Sequence, residues 1–115
     1  MLNALTLAGW LAASNGLPVS ARLELAAEGA HHLALRLCFT SQERHNLRYQ
    51  LDVRTSGTAG TSRSQQSGEL TTGSDMQCPI NNRLGLSADT RVQATLNWSI
   101  DGQPQPEVEQ FYPAK

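Results

Sequence analysis

Lysine occurs once in the chain, at Lys115, and aromatic residues make up only 5% of it. Any positive patch must therefore be built from arginine, whose planar guanidinium favours flat hydrogen-bonding partners over diffuse charge attraction. The 9 basic and 10 acidic side chains leave a formal charge of −1, so whole-molecule electrostatics give no reason to expect nucleic acid or an anionic membrane as partner. Catalytic signatures are missing as well. There is no glycine-rich phosphate loop, no Cys-x-x-Cys, no His-Glu-x-x-His and no Gly-x-Ser-x-Gly, and the carboxylates are scattered rather than paired. We expect no enzyme, no metal and no cofactor. His31 and His32 are adjacent, and neighbours on a strand point to opposite faces, a poor geometry for holding one metal. His45 stands in a polar segment and reads as a surface histidine.

Charge is also absent from the first 21 residues, which hold no Lys, Arg, Asp or Glu. Their apolar run, Ala4 to Ala13, is broken only by Thr6, Gly9 and Trp10, and is too short to span a bilayer, which takes about 20 residues. The segment ends in Val19-Ser20-Ala21, a small-x-small pattern of the kind signal peptidase cuts. Residues 1–21 are thus expected to be an export signal, and residues 22–115 one domain with no membrane contact after export. The same stretch also reads as an apolar leader or a first strand. At 115 residues and 39% hydrophobic content the chain suits a single core.

Two cysteines, Cys38 and Cys78, fit an oxidising compartment. A bridge between them would close a loop of about 40 residues, worth about 4 kcal/mol in the chain-entropy treatment. Parity complicates it. Cys38 alternates against Leu33, Leu35, Leu37 and Phe39, so an inward-pointing bridge would need a bulge. Both states, bridged and free, stay open.

No stretch of ten residues after Ala21 carries a helical period. Period two recurs instead. Leu23 and Leu25, then Leu33 to Phe39, then Leu47, Tyr49, Leu51 and Val53, then Val92, Ala94, Leu96 and Trp98 each occupy one parity of a strand with polar residues on the other. Glu28-Gly29 and Asp101-Gly102 supply turns, the second of them a hairpin signal ahead of Val108, Phe111 and Tyr112. From Thr55 to Gly73 the composition falls to Gly, Ser, Thr and Gln, which predicts a loop over Ser56–Ser62 and a polar edge strand over Arg63–Leu70. Cys78-Pro79-Ile80 to Leu86 reads as the next strand. About seven short antiparallel strands with turn-rich breaks predict an all-β, immunoglobulin-like β-sandwich.

In such a sandwich the third and sixth strands are neighbours. Their outward residues Arg48, Gln50, Asp52 and Arg54 would then lie beside Gln93, Thr95 and Asn97, with Arg36 as a further member of the row. The plain reading is a solvated strand face. The sharper one is a hydrogen-bonding surface for a partner rich in amides and backbone edges. Trp98 shares parity with Val92, Ala94 and Leu96, so it reads as core rather than as a sugar-stacking platform, and Asn97-Trp98-Ser99 is discounted as a glycosylation triplet.

The order of these features, Glu28-Gly29 before a strand, Leu47 to Arg54, the Ser/Gly/Thr/Gln run, Leu84-Gly85-Leu86-Ser87-Ala88-Asp89-Thr90-Arg91-Val92, Asp101-Gly102-Gln103 and Tyr112-Pro113, resembles the CsgC/CsgH family of curli accessory proteins over about residues 21–113. The resemblance implies a small periplasmic protein of Gram-negative bacteria with an immunoglobulin-like fold that keeps curlin, the amyloid subunit, from polymerising before export, and we expect a monomer. Some relatives carry a Cys-x-Cys pair before the third strand. This chain has Arg44-His45-Asn46 at that place, so the resemblance brings no redox role. The competing readings are a generic protein-binding or carbohydrate-binding sandwich and a thiol-disulfide partner domain.

Overall fold

The computed structural model describes residues 18–114, all of whose regular structure is β. Eight strands follow one another: β1 Val19–Glu28, β2 His32–Ser41, β3 Asn46–Gly57, β4 Gly60–Thr71, β5 Gln77–Gly85, β6 Arg91–Ile100, β7 Gln103–Pro104 and β8 Val108–Tyr112. They form two antiparallel sheets, one ordered β1-β2-β5 and the other β4-β3-β6-β7, with β8 also on β6. This is the expected immunoglobulin-like sandwich.

The alternating apolar residues make the core. Leu33, Leu35, Leu37 and Phe39 of the smaller sheet face Leu47, Leu51, Val53, Val92, Ala94, Leu96 and Trp98 of the larger one, and all are buried. Removing a side chain of this size from water stabilises by about 1.5–3 kcal/mol, so the two leucine-rich faces are what hold the layers together. Phe39 links them further, its ring centroid lying 5.6 Å from that of Trp98 and 6.0 Å from that of Tyr49. Trp98 is core, as its parity required.

Most of the apolar leader lies outside the described residues, but Val19 to Ala21 open β1, and Val19 is fully buried. The loop expected over Ser56–Ser62 is a hairpin: β3 runs to Gly57, Thr58 and Ala59 turn, and β4 starts at Gly60. Leu70 is the one large apolar residue of β4 and packs against the core, while the rest of the strand is polar. That polar part is held by its ladder to β3 rather than by burial. The Asp-Gly turn is present with positive φ at both residues, 49° at Asp101 and 83° at Gly102. The returning strand is split in two around Gln105–Glu107, giving eight strands rather than about seven. Pro104 and Pro106 have no N–H to offer the ladder, and the Pro106 carbonyl instead accepts the Trp98 indole N–H at 3.0 Å.

Cys38 and Cys78 are joined, with an S–S distance of 2.08 Å. The parity conflict resolves on the other strand. Leu37 pairs with Ile80 and Phe39 with Gln77, so two β5 residues, Cys78 and Pro79, oppose Cys38 in a bulge. The bridge lies between neighbouring strands of one sheet and does not cross the core.

Candidate functional site

Outward residues of β3 and β6 do lie side by side. Arg48 pairs with Ser99, Gln50 with Asn97, Asp52 with Thr95 and Arg54 with Gln93. β4 and β8 extend these rows. Glu69, Ser67, Gln65 and Arg63 continue them beyond β3, while Glu109 and Phe111 continue them beyond β6. Six of the seven expected site residues, Arg48, Gln50, Arg54, Gln93, Thr95 and Asn97, therefore share one surface. Arg36 does not. It lies on β2, in the other sheet, where its Nη2 sits 3.8 Å from the Cys78 sulfur. Parity shows that a residue points outward but not from which layer.

The hydrogen bonds of this face separate its tied from its available groups. Arg63 grips Asp52 with Nε–Oδ1 at 3.1 Å and Nη2–Oδ2 at 2.8 Å. That hydrogen bond, helped by the charges of Arg63 and Arg54 and opposed by desolvation, holds the Asp52 carboxyl below its usual range. Gln93 donates to Glu109 at 2.9 Å, and the Thr95 hydroxyl to the same carboxylate at 3.4 Å. Arg48 meets Glu69 at 3.6 Å with both side chains mostly in solvent, a contact of little energetic weight.

Arg54 and Arg91 have no carboxylate within ion-pair distance among the described residues. With Arg63 they line one cleft of about 830 Å³, which Gln93, Phe111 and Tyr112 also border. Arg54 stands directly opposite Arg63 across β3 and β4, and like charges so placed are destabilising. Of the pair only Arg63 is hydrogen-bonded to Asp52, whose charge also attracts Arg54. The hairpin tip beside this cleft is anchored from the β5–β6 connection, where the Asp89 carboxylate accepts the Thr58 backbone N–H. Nothing in the chain's pattern marked Arg63 and Arg91. The register Arg54–Arg63 follows once the turn at Thr58-Ala59 is known, and that turn has no Asn-Gly or Asp-Gly to announce it.

At the opposite end of the face His45 is not a free surface side chain. Only 16% of it is exposed; its Nδ1 lies 2.7 Å from Asp101 Oδ2 and its Nε2 3.9 Å from Glu43. Asp101 Oδ1 also accepts the Asn46 N–H at 2.8 Å, so one carboxylate ties the start of β3 to the β6–β7 turn. The His45 hydrogen bond, followed by the Asn46 one, holds Asp101 below the usual carboxylate range. Among the described residues no three His, Cys, Asp or Glu side chains are grouped so as to hold a metal ion.

Solved structures similar to this chain include two curli-related ones. The solution structure of CsgH from R. palustris shares 28% identity with a TM-score of 0.62, covering 79% of this chain and 89% of that one. The curli protein CsgC of E. coli shares 21% identity with a TM-score of 0.65, covering 83% of this chain and 98% of that one. These are the proteins whose family the sequence resembles. No protein-family model matches the chain, and no curated protein matches it.

Proposed function

We propose that this chain is a periplasmic, chaperone-like inhibitor of curlin polymerisation, which holds its client transiently on the outer face of the β4-β3-β6-β8 layer without catalysis or cofactor. The observation that carries the reading is the shared architecture with CsgH and with CsgC, a curli protein. The chemistry of the face supports it. Amyloid growth needs an extended strand whose side chains and backbone both stack in register. A surface offering guanidinium N–H groups at Arg48, Arg54 and Arg91, beside the amides of Gln50, Gln93 and Asn97, matches the carboxylates, amides and carbonyls such a strand carries. Because this binding is mostly polar and solvent-exposed, it is weak and fast to release, as transient holding requires, and it weakens with salt.

The other readings find less support. Trp98 is 6% exposed and spends its indole N–H on Pro106, so it offers no platform to a sugar ring. Cys38 is 2% exposed and the pair is joined across neighbouring strands, which does not suit an accessible exchange centre. The test is curlin polymerisation followed by dye fluorescence, with this protein added far below equimolar amounts. A lengthened lag is expected from the native chain and a shorter one from Arg48→Ala with Arg54→Ala at equal stability. If the double variant inhibits as well as the native chain, the face assignment is wrong.

A further inference from the structure

A long strand at the edge of a sheet is an open template for another strand, and natural proteins usually blunt such edges with proline, bulges, short length or cover. Three edges here follow that rule. β5 carries Pro79 and the bulge opposite Cys38, β7 and β8 are short with Pro104 and Pro113 on or beside them, and β1 lies against β8. β4 does not. It pairs with β3 over twelve consecutive residues without a register shift, contains no proline, and has no strand on its far side among the described residues.

Which backbone groups point outward follows from the ladder. The Thr72 N–H donates to the His45 carbonyl on the same register that pairs β3 with β4. Antiparallel pairing alternates, so Ser62, Ser64, Gln66, Gly68 and Leu70 turn their N–H and C=O groups to β3, and Thr61, Arg63, Gln65, Ser67 and Glu69 turn theirs to solvent. The run ends at Thr71, whose outward carbonyl already accepts the Gln77 side-chain amide at 2.7 Å.

We infer that β4 is an association edge for a second copy of this chain, paired antiparallel about Gln66 so that Arg63 of each copy faces Glu69 of the other. The sequence of β4 is self-complementary in that register. Arg63 meets Glu69 and Gln65 meets Ser67, twice each, on the outer face, and all four positions have their backbone groups turned outward as the new ladder requires. Gln66 meets Gln66 on the two-fold axis, on the opposite face. Opposite charges directly across a ladder are favourable, and shifting the register by two residues in either direction loses both charge pairs. The two large sheets, of five strands each, would join into one of ten. The contact is isologous and uses up the one unguarded edge, so it closes at two copies and does not propagate. With no large apolar residue in the outward run it is a weak, concentration-dependent association.

Sedimentation of the full chain over about 10 µM to 1 mM, read together with amide-resolved NMR, tests this. The weight-average mass should rise toward that of two copies, with concentration-dependent shifts gathered at Thr61 to Glu69. Ser67→Pro removes an outward N–H while leaving the β3 ladder intact, and Glu69→Arg sets like charges opposite one another; each should keep the chain monomeric at every concentration. Gln66→Cys gives a positive readout, since two copies should cross-link at this position on oxidation whereas Ser64→Cys should not. A chain that stays monomeric at 1 mM, shifts that gather on β1 or β5, or equal cross-linking at both positions would overturn the proposal.

Discussion

Gly68 lies on β4 directly opposite Tyr49, and a Cβ placed there would come within 2.5 Å of the tyrosine hydroxyl oxygen and 2.9 Å of Cζ. The Tyr49 ring is therefore laid over the glycine, filling the space a side chain would need. Its other neighbour is Phe39, at 6.0 Å between centroids, so the ring has a packed side to lose if it is displaced. Replacing Gly68 by Ala has two opposed effects. The strand gains about 0.5–1 kcal/mol from reduced backbone freedom in the unfolded chain. Forcing the ring aside costs about 1–3 kcal/mol, as inserting one carbon into a packed contact generally does. The overpacking should win, leaving Gly68→Ala about 1–2 kcal/mol less stable in a urea denaturation series with unchanged slope. Shortening Tyr49 to Phe removes the closest atom, so the pair Gly68→Ala with Tyr49→Phe should recover part of the loss in a double-mutant cycle. If Gly68→Ala alone raises the denaturation midpoint, the ring swings away freely and does not clamp β4 to β3.

Replacing Cys38 and Cys78 together by Ala reopens a loop of sequence separation 40 and should lower stability by about 4 kcal/mol, seen as an early denaturation midpoint; a loss under about 1 kcal/mol would show that the bulge holds without its bridge. Asp52, Asp89 and Asp101 all have carboxyls held low, first by hydrogen bonds from Arg63, Thr58 and His45 respectively. A folded-state value below the unfolded one means the stabilisation is complete above about pH 4 and is lost as pH falls through the lowered values, so the melting temperature should drop on acidification below that point. Asp101→Asn should flatten part of that drop, and an unaltered acid profile would argue against the His45 contact. Arg54→Ala with Arg91→Ala should leave stability within about 0.5 kcal/mol, since both are exposed and one faces another arginine. Hydrogen bonds to charged groups contribute about 1.5–3 kcal/mol, so the same double variant should need at least about tenfold more protein for equal inhibition of curlin growth.

Residues with a buried parity were readable in the chain, and residues without one were not. Leu33 to Phe39 and Val92 to Trp98 each declare a strand and its inner face because burial imposes a strict period of two. The core followed from them. Gly60 to Ser62 carry no such period, because a stretch without a buried face shows no side-chain pattern, so they read as loop although β4 has already begun there. Arg63 is legible as a strand start but not as the neighbour of Arg54 and the partner of Asp52. Arg36 obeyed its parity yet landed on the wrong layer, because two outward faces look alike in one dimension. His45 and Asp101 are 56 residues apart, a pairing that only the closed sandwich creates.

The proposed partner surface is the outer β3–β6 face. Amide-resolved NMR of the chain during titration with monomeric curlin, at a concentration below any self-association, tests it most directly. Perturbations should group at Arg48, Gln50, Arg54, Gln93, Thr95 and Asn97 and fade as salt is raised. Perturbations confined to the β1-β2-β5 sheet, or none at saturating curlin, would contradict it.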